Sequence, residues 1–157
     1  EMNKLFNVDF IPSALGDKVS SLDIHLLPDD FPNQGMTSIV RHSASDRKIT
    51  VPQSTIDIEI NRLKLERLDL IKMDVQGSEL AILKGGENAI LKFHPIILLE
   101  ASPAHSSLND IYQFLHQKEY EIYKVGNKFE ELSDQSLQSG DWICFNKNDQ
   151  IDINQLT

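Results

Sequence analysis

Acidic side chains stand at the ends of two mostly apolar runs of the sequence, a placement that favours a functional role. Asp74 directly follows residues 68–73, and Glu100 directly follows residues 95–99. His105 lies in the segment after Glu100, where an imidazole can act as an acid or a base near neutral pH. Such groups can bind a substrate hydroxyl or accept its proton. The candidate catalytic residues are therefore Asp74, Glu79, Glu100 and His105.

An α/β domain is expected to position these groups, because strand-like and helix-like patterns alternate from residue 68 onward. Strands are predicted at residues 68–75, 96–100, 120–125 and 141–145, and helices at residues 78–84, 87–93 and 108–115. This order predicts a mostly parallel sheet with helices on both faces, ending in an antiparallel hairpin. In such sheets ligands bind beyond the carboxyl ends of the strands, where Asp74 and Glu100 lie. A strand over residues 7–15 and an amphipathic helix within residues 55–68 precede this unit.

Each of these candidates also has a purely structural alternative. Asp74 alternatively caps the next helix or pairs with Lys72. Gly77 is either a point of close ligand approach or an ordinary left-handed turn glycine. Glu79 alternatively complements the positive end of a helix dipole on the surface. Glu100 alternatively pairs with a structural partner.

Composition excludes several other classes of protein. The 157 residues fit one domain over 1–157, and 15 basic against 24 acidic residues give a net charge of -9, which argues against binding to nucleic acid or anionic membranes. The single cysteine, Cys144, allows no disulfide within these residues and no multi-thiolate zinc site, and no His, Asp or Glu spacing predicts another metal site. No apolar stretch approaches the ~20 residues of a membrane span. No signal peptide opens the sequence, so we expect a cytoplasmic protein.

Residues 70–85 carry the most specific motif of the sequence. They read LIKMDVQGSELAILKG and resemble the hallmark of the FkbM family of S-adenosylmethionine-dependent methyltransferases, a strand ending in K-x-D-x-E-G-x-E followed by a helix with L-K-G. The matching positions are Lys72, Asp74, Gly77, Glu79, Leu83, Lys84 and Gly85. Gln76 departs from the pattern, since the family usually has Glu there. Weaker matches keep the family's order: residues 14–17 resemble A-L-x-D, residues 55–57 T-L-D, residues 95–100 a strand ending in Glu, and residues 120–123 G-Y-x-I-Y.

The resemblance implies a fold, a cofactor and a reaction. The fold is a Rossmann-like class I methyltransferase sheet of strand order 3-2-1-4-5-7-6, and the cofactor is S-adenosylmethionine. The implied cofactor-binding residues are Ala14, Asp17, Asp74 and Gly77. The implied reaction is O-methylation of a hydroxyl on a sugar, a lipid or a secondary metabolite. Asp74 is the first candidate for the residue that positions the acceptor or acts as the general base. The expected partner is therefore a small-molecule or glycan acceptor.

The front part of that family pattern does not occur in the sequence. Family members begin with a strand ending in D-x-G-A-N-x-G, whereas Gly16 is the first glycine here. The resemblance thus implies a domain whose N-terminal strands are missing, and we expect the natural protein to extend upstream. Otherwise the strand at residues 68–75 becomes an exposed apolar edge. It would then pair with residues 7–14 or with another copy, which predicts a homo-oligomer.

The same absence bears on two rival functions. Without the glycine-rich loop, the chain is alternatively a non-catalytic scaffold or interaction module. A nucleotide-sugar or NAD-using enzyme needs a G-x-G-x-x-G loop, which the sequence also lacks.

Overall fold

The computed structural model describes residues 7–25, 48–75, 77–103, 107–149 and 151. Its elements are, in chain order, β1 (Ala14–Leu15), β2 (Ser20–His25), β3 (Lys48–Ser54), α1 (Ile56–Leu63), β4 (Leu70–Met73), α2 (Glu79–Gly85), α3 (Glu87–Phe93), β5 (Ile96–Ala101), α4 (Leu108–His116), β6 (Tyr120–Lys124), β7 (Glu130–Glu131) and β8 (Gly140–Asn146). The predicted α/β class is confirmed. The strands and helices predicted from residue 68 onward all occur, within a few residues of their predicted bounds.

The main sheet has five strands in the order β4-β5-β8-β6-β7. β4 and β5 are parallel, whereas β8 runs antiparallel to both β5 and β6, and β7 runs antiparallel to β6. A second sheet has the order β1-β3-β2, with one parallel and one antiparallel pair. The described residues therefore form mixed sheets. In the main sheet β4, β5 and β6 run in one direction and β8 and β7 run opposite to them, so the predicted mostly parallel sheet is confirmed only in part. The antiparallel C-terminal strands were predicted correctly.

The hydrophobic core lies on one face of the main sheet. Ile97 and Leu99 of β5 are fully buried, and buried side chains of all four helices belong to the same hydrophobic cluster. Ile96 and Leu98 point to the opposite face, stay outside that cluster and are partly exposed. The prediction of helices on both faces is therefore wrong for the described residues, whose helices leave one face of the sheet open.

β4 lies at an edge of the main sheet, as the sequence led us to expect for a domain whose N-terminal strands are missing. In the described part of the chain β4 pairs with β5 alone, and Leu70 remains 54% exposed. β1 pairs with β3, so it does not cover this edge. The predicted strand over residues 7–15 shrinks to the two residues of β1, because Val8 and Phe10 are largely exposed and Pro12 has no N–H for a ladder.

No helix in the described ranges has both the length and the apolar character that a membrane span requires.

Candidate functional site

Carboxylates meet at the carboxyl end of β4 and β5. The last pair of this ladder sets Met73 level with Leu99, and Asp74 and Glu100 are the residues that follow on the two strands. Neighbouring strands lie about 4.8 Å apart, which is close enough for two side chains to reach one small molecule. On the other side of β5, Glu100 directly faces Asp141 of β8. Asp74, Glu100 and Asp141 are all exposed to solvent.

The sequence predicted Asp74 and Glu100 for this edge but missed Asp141. Residues directly opposite one another in an antiparallel pair point to the same face, and like charges in that arrangement repel. Glu100 has no ion pair within the described ranges, so the expected structural pairing is not found there. The carboxylates lie on the open face of the sheet, away from Leu99 and Trp142, which are fully buried.

Neither structural alternative for Asp74 occurs among the described residues. Lys72 Nζ donates to the carbonyl oxygen of Met73 at 3.2 Å and forms no ion pair with Asp74. Ser78 stands at the N-cap of α2, with no side-chain capping bond. Asp74 is therefore an exposed carboxylate at the end of a strand whose last residue, Met73, is buried.

Gly77 and Glu79 form a closed arrangement within the loop that leads into α2. Gly77 has φ of 111°, a backbone conformation that favours glycine. Its N–H donates to both carboxylate oxygens of Glu79, at 3.0 Å each. The side chain of Glu79 is buried, with only 2% exposed, so its predicted surface position is wrong. Gln76 lies outside the described residues.

The segment that contains Ala14 packs against the junction of α2 and α3. A Cβ atom at Gly85 would lie 1.9 Å from the Gly16 carbonyl oxygen, and one at Gly86 would lie 3.0 Å from Ile56. Only glycine therefore permits this approach at position 85, which explains the glycine of the L-K-G motif. Asp17 is exposed and lies beyond this contact.

An apolar groove of about 350 Å³ runs between this segment and the β4 end of the site. Ala14 and Leu15 form one wall, and Met73, Val75 and Ser78 form another. Ser13 also lines the groove, and its Oγ is a buried side-chain oxygen without a hydrogen-bond partner in the described part of the chain. The structure thus brings the predicted cofactor residue Ala14 to the loop that contains Asp74 and Gly77, whereas Asp17 does not line the groove.

A second groove, of about 250 Å³, continues along α1 and shares Ser13 and Leu15 with the first. Glu59 lines it and accepts hydrogen bonds from Ser54 Oγ at 2.6 Å and from Arg62 Nε at 2.7 Å. These two bonds, the Ser54 bond first, lower the pKa of Glu59. Glu59 is therefore held as a carboxylate and is poorly suited to accept a proton.

Thr55 and Asp57 cap two different helices. Thr55 Oγ1 accepts from Ile58 N of its own helix, α1. Asp57 reaches across to α3 and accepts from Ala89 N at 2.8 Å and from Asn88 N and Nδ2 at 3.2 and 2.7 Å. The T-x-D motif is thus structural, because it orients α1 against the helix that follows the site.

The remaining candidates do not join the site. His105 lies outside the described residues. Cys144 is fully buried, and burial raises the pKa of its thiol, so it is an inert core residue. No group of three or more His, Cys, Asp or Glu side chains in the described ranges could hold a metal ion.

A comparison with protein families matches residues 4–122 to the methyltransferase FkbM domain. Comparisons with curated proteins and with solved structures each found no match. The matched region covers more than half of the chain and includes β4, the loop with Asp74 and Gly77, and Glu100. The chain therefore belongs to the FkbM family of methyltransferases.

Proposed function

We propose that this chain takes part in transferring a methyl group from S-adenosylmethionine to a hydroxyl of a sugar, a lipid or a secondary metabolite. The observation that carries the proposal is the position of Asp74. In a chain of a methyltransferase family, this exposed carboxylate follows β4 at the carboxyl edge of the sheet, where Glu100 follows the paired residue Leu99 on β5. Bound S-adenosylmethionine would supply an electrophilic methyl group on a sulfonium.

The groove supports part of a cofactor site. Its apolar walls suit a purine ring, and the unpartnered Ser13 Oγ could bond to a polar ring edge. Ala14 would lie beside the ring and Met73 on the opposite wall. The described residues of the groove include no cluster of donors for the amino-acid end of the cofactor, so this fit concerns the adenosine end alone.

Asp74 would act on the acceptor. Its carboxylate would accept a hydrogen bond from the acceptor hydroxyl, orient the hydroxyl oxygen and take up its proton. Bound S-adenosylmethionine would supply the methyl group, and the electron pair of its broken carbon–sulfur bond would remain on sulfur as a neutral thioether. Alignment of this kind contributes up to ~7–11 kcal/mol to catalysis, and a positioned base adds ~10²–10⁴-fold. Glu100 would orient a second hydroxyl of the same acceptor from the neighbouring strand.

The observed order β4-β5-β8-β6, with β8 antiparallel, supports a finer proposal about the fold. It is the order 4-5-7-6 that the resemblance implies for the last four strands of a Rossmann-like class I methyltransferase sheet. We also propose a cytoplasmic location, since the only cysteine is buried and free.

Calorimetry and a transfer assay test this function together. Titration of S-adenosylmethionine into the chain should give micromolar binding, and Asp74→Asn should keep that affinity while it lowers transfer of labelled methyl to hydroxyl acceptors. Asp69→Asn is the matched control, because Asp69 is an exposed carboxylate beside the same strand. Absence of binding at millimolar cofactor would favour the alternative of a non-catalytic module. Normal turnover of Asp74→Asn would refute the role of Asp74.

A further inference from the structure

Glu79 occupies an unusual position for an acidic residue in the first turn of a helix. Its side chain is 2% exposed, whereas Glu87, in the first turn of α3, is 49% exposed. A carboxylate buried to this degree needs hydrogen bonds, because loss of hydration would otherwise favour the neutral form. Glu79 is therefore held inside the protein and cannot touch an acceptor in this arrangement.

The carboxylate of Glu79 instead holds the backbone of the preceding loop. Both of its oxygens accept from the Gly77 N–H at 3.0 Å, and Gly77 adopts a backbone conformation with positive φ. The other end of the loop is fixed by Met73, whose side chain is 3% exposed. Asp74 thus lies in a short segment that is anchored on one side by Met73 and on the other by Glu79.

We propose that Glu79 is a positioning residue, which fixes Gly77 and thereby sets the orientation of the Asp74 carboxylate. The inference rests on the proposed function only in that Asp74 is the group that meets the acceptor. It reassigns Glu79 from the catalytic role that the sequence predicted. Glu79 then acts through Gly77, whose N–H it holds.

The experiment compares substitutions that separate charge from size. Glu79→Gln keeps the size but removes the charge and one of the two acceptor oxygens. Glu79→Asp keeps the charge but shortens the reach by one methylene. Glu87→Gln is the matched control, because it neutralises an acid in the first turn of the next helix, where the partner is the Lys118 ammonium.

Nuclear magnetic resonance at one fixed neutral pH can follow the Asp74 carboxyl carbon and the Gly77 amide, without cofactor or acceptor. In the unaltered chain the Gly77 amide proton should lie downfield of its position in Glu79→Gln, because it donates to both oxygens of Glu79. Glu79→Gln should also move the Asp74 carboxyl signal, and Glu79→Asp should restore part of both positions. Glu87→Gln should leave both signals unchanged.

Two results would overturn the proposal. One is a folded Glu79→Gln protein whose Asp74 carboxyl signal matches that of the unaltered chain. The other, if Glu79→Gln does not fold, is a folded Glu79→Asp protein with unaltered Asp74 and Gly77 signals. Both readouts are independent of methyl transfer, so failure to bind S-adenosylmethionine would count against the proposed function alone. In an active enzyme, Glu79→Gln should lower kcat and leave the KM for the cofactor nearly unchanged.

Discussion

Replacing Asp57 with alanine should destabilise the fold more than its partly exposed position suggests. Asp57 belongs to α1, yet its carboxylate accepts hydrogen bonds from Asn88 N, Asn88 Nδ2 and Ala89 N at the start of α3. The residue at the N-cap of α3 is Gly86, which has no side chain to satisfy these donors. Asp57 therefore supplies the cap for a helix that begins 30 residues further along the chain.

The size of the effect follows from two contributions. Loss of a helix N-cap costs about 1 kcal/mol, within a range of about 0.5–2. Loss of a negative charge at the helix N-terminus costs about 0.3–1 kcal/mol more. Asp57→Ala should therefore lower the free energy of unfolding by about 2 kcal/mol. Asp57→Asn keeps one acceptor oxygen, so it should lower that free energy by about half as much.

Urea denaturation followed by circular dichroism measures these differences, with Asp69→Ala as the control. Asp69 is an exposed carboxylate whose partner is Arg67 at 2.8 Å, and a surface ion pair of this kind contributes about 0–1 kcal/mol. The order of destabilisation should be Asp57→Ala, then Asp57→Asn, then Asp69→Ala. If Asp57→Ala cost no more than Asp69→Ala, the cap across the helices would be irrelevant to stability.

Three further predictions concern packing, reactivity and association. Gly85→Ala should lower the free energy of unfolding in urea by about 1–3 kcal/mol, because its Cβ would lie 1.9 Å from the Gly16 carbonyl oxygen. Gly126→Ala should lower that free energy far less, since its Cβ would meet nothing nearer than 3.5 Å. Equal losses of stability would contradict the packing argument. Cys144 should react with a thiol reagent only after denaturation, because burial raises the pKa of its thiol, and fast labelling of the folded chain would refute this. We propose that the unpaired edge of β4 drives self-association, so Leu70→Lys should reduce it in sedimentation velocity, and an unchanged distribution would exclude this edge.

The elements from residue 68 onward could be predicted because their patterns are local. The apolar positions of α4 recur at helical spacing, and Ser107 caps that helix through a bond from Asp110 N to its Oγ at 3.3 Å. The strand predicted over residues 7–15 failed only partly for a reason that the sequence displays, the missing N–H of Pro12. An alternating pattern becomes a strand only where a neighbouring strand accepts it, and of residues 7–15 only Ala14 and Leu15 pair with β3.

Site residues at the ends of apolar runs could be predicted from the sequence, whereas a site residue placed by the pairing of two strands could not. Asp74 and Glu100 each end an apolar run, which the sequence displays directly. Asp141 was missed because its place beside Glu100 depends on the antiparallel register of β5 and β8. One signal could have indicated it. Asp141 directly precedes the apolar run of residues 142–145, so it too is an acid at the end of an apolar run.

The hallmark motif contains two kinds of residue that the sequence presents as one block. Glu79 and Gly85 are buried and make contacts with the backbone. Glu79 accepts a hydrogen bond from the Gly77 N–H, and Gly85 allows the backbone of residue 16 to approach closely. Asp74 is exposed at the sheet edge. A motif built mainly from internal contacts can fix where a reacting group stands, but it offers few side chains that could recognise a particular acceptor. We therefore expect acceptor choice to depend on the side chains beside Asp74, with Glu100 and Asp141 as the nearest on the neighbouring strands.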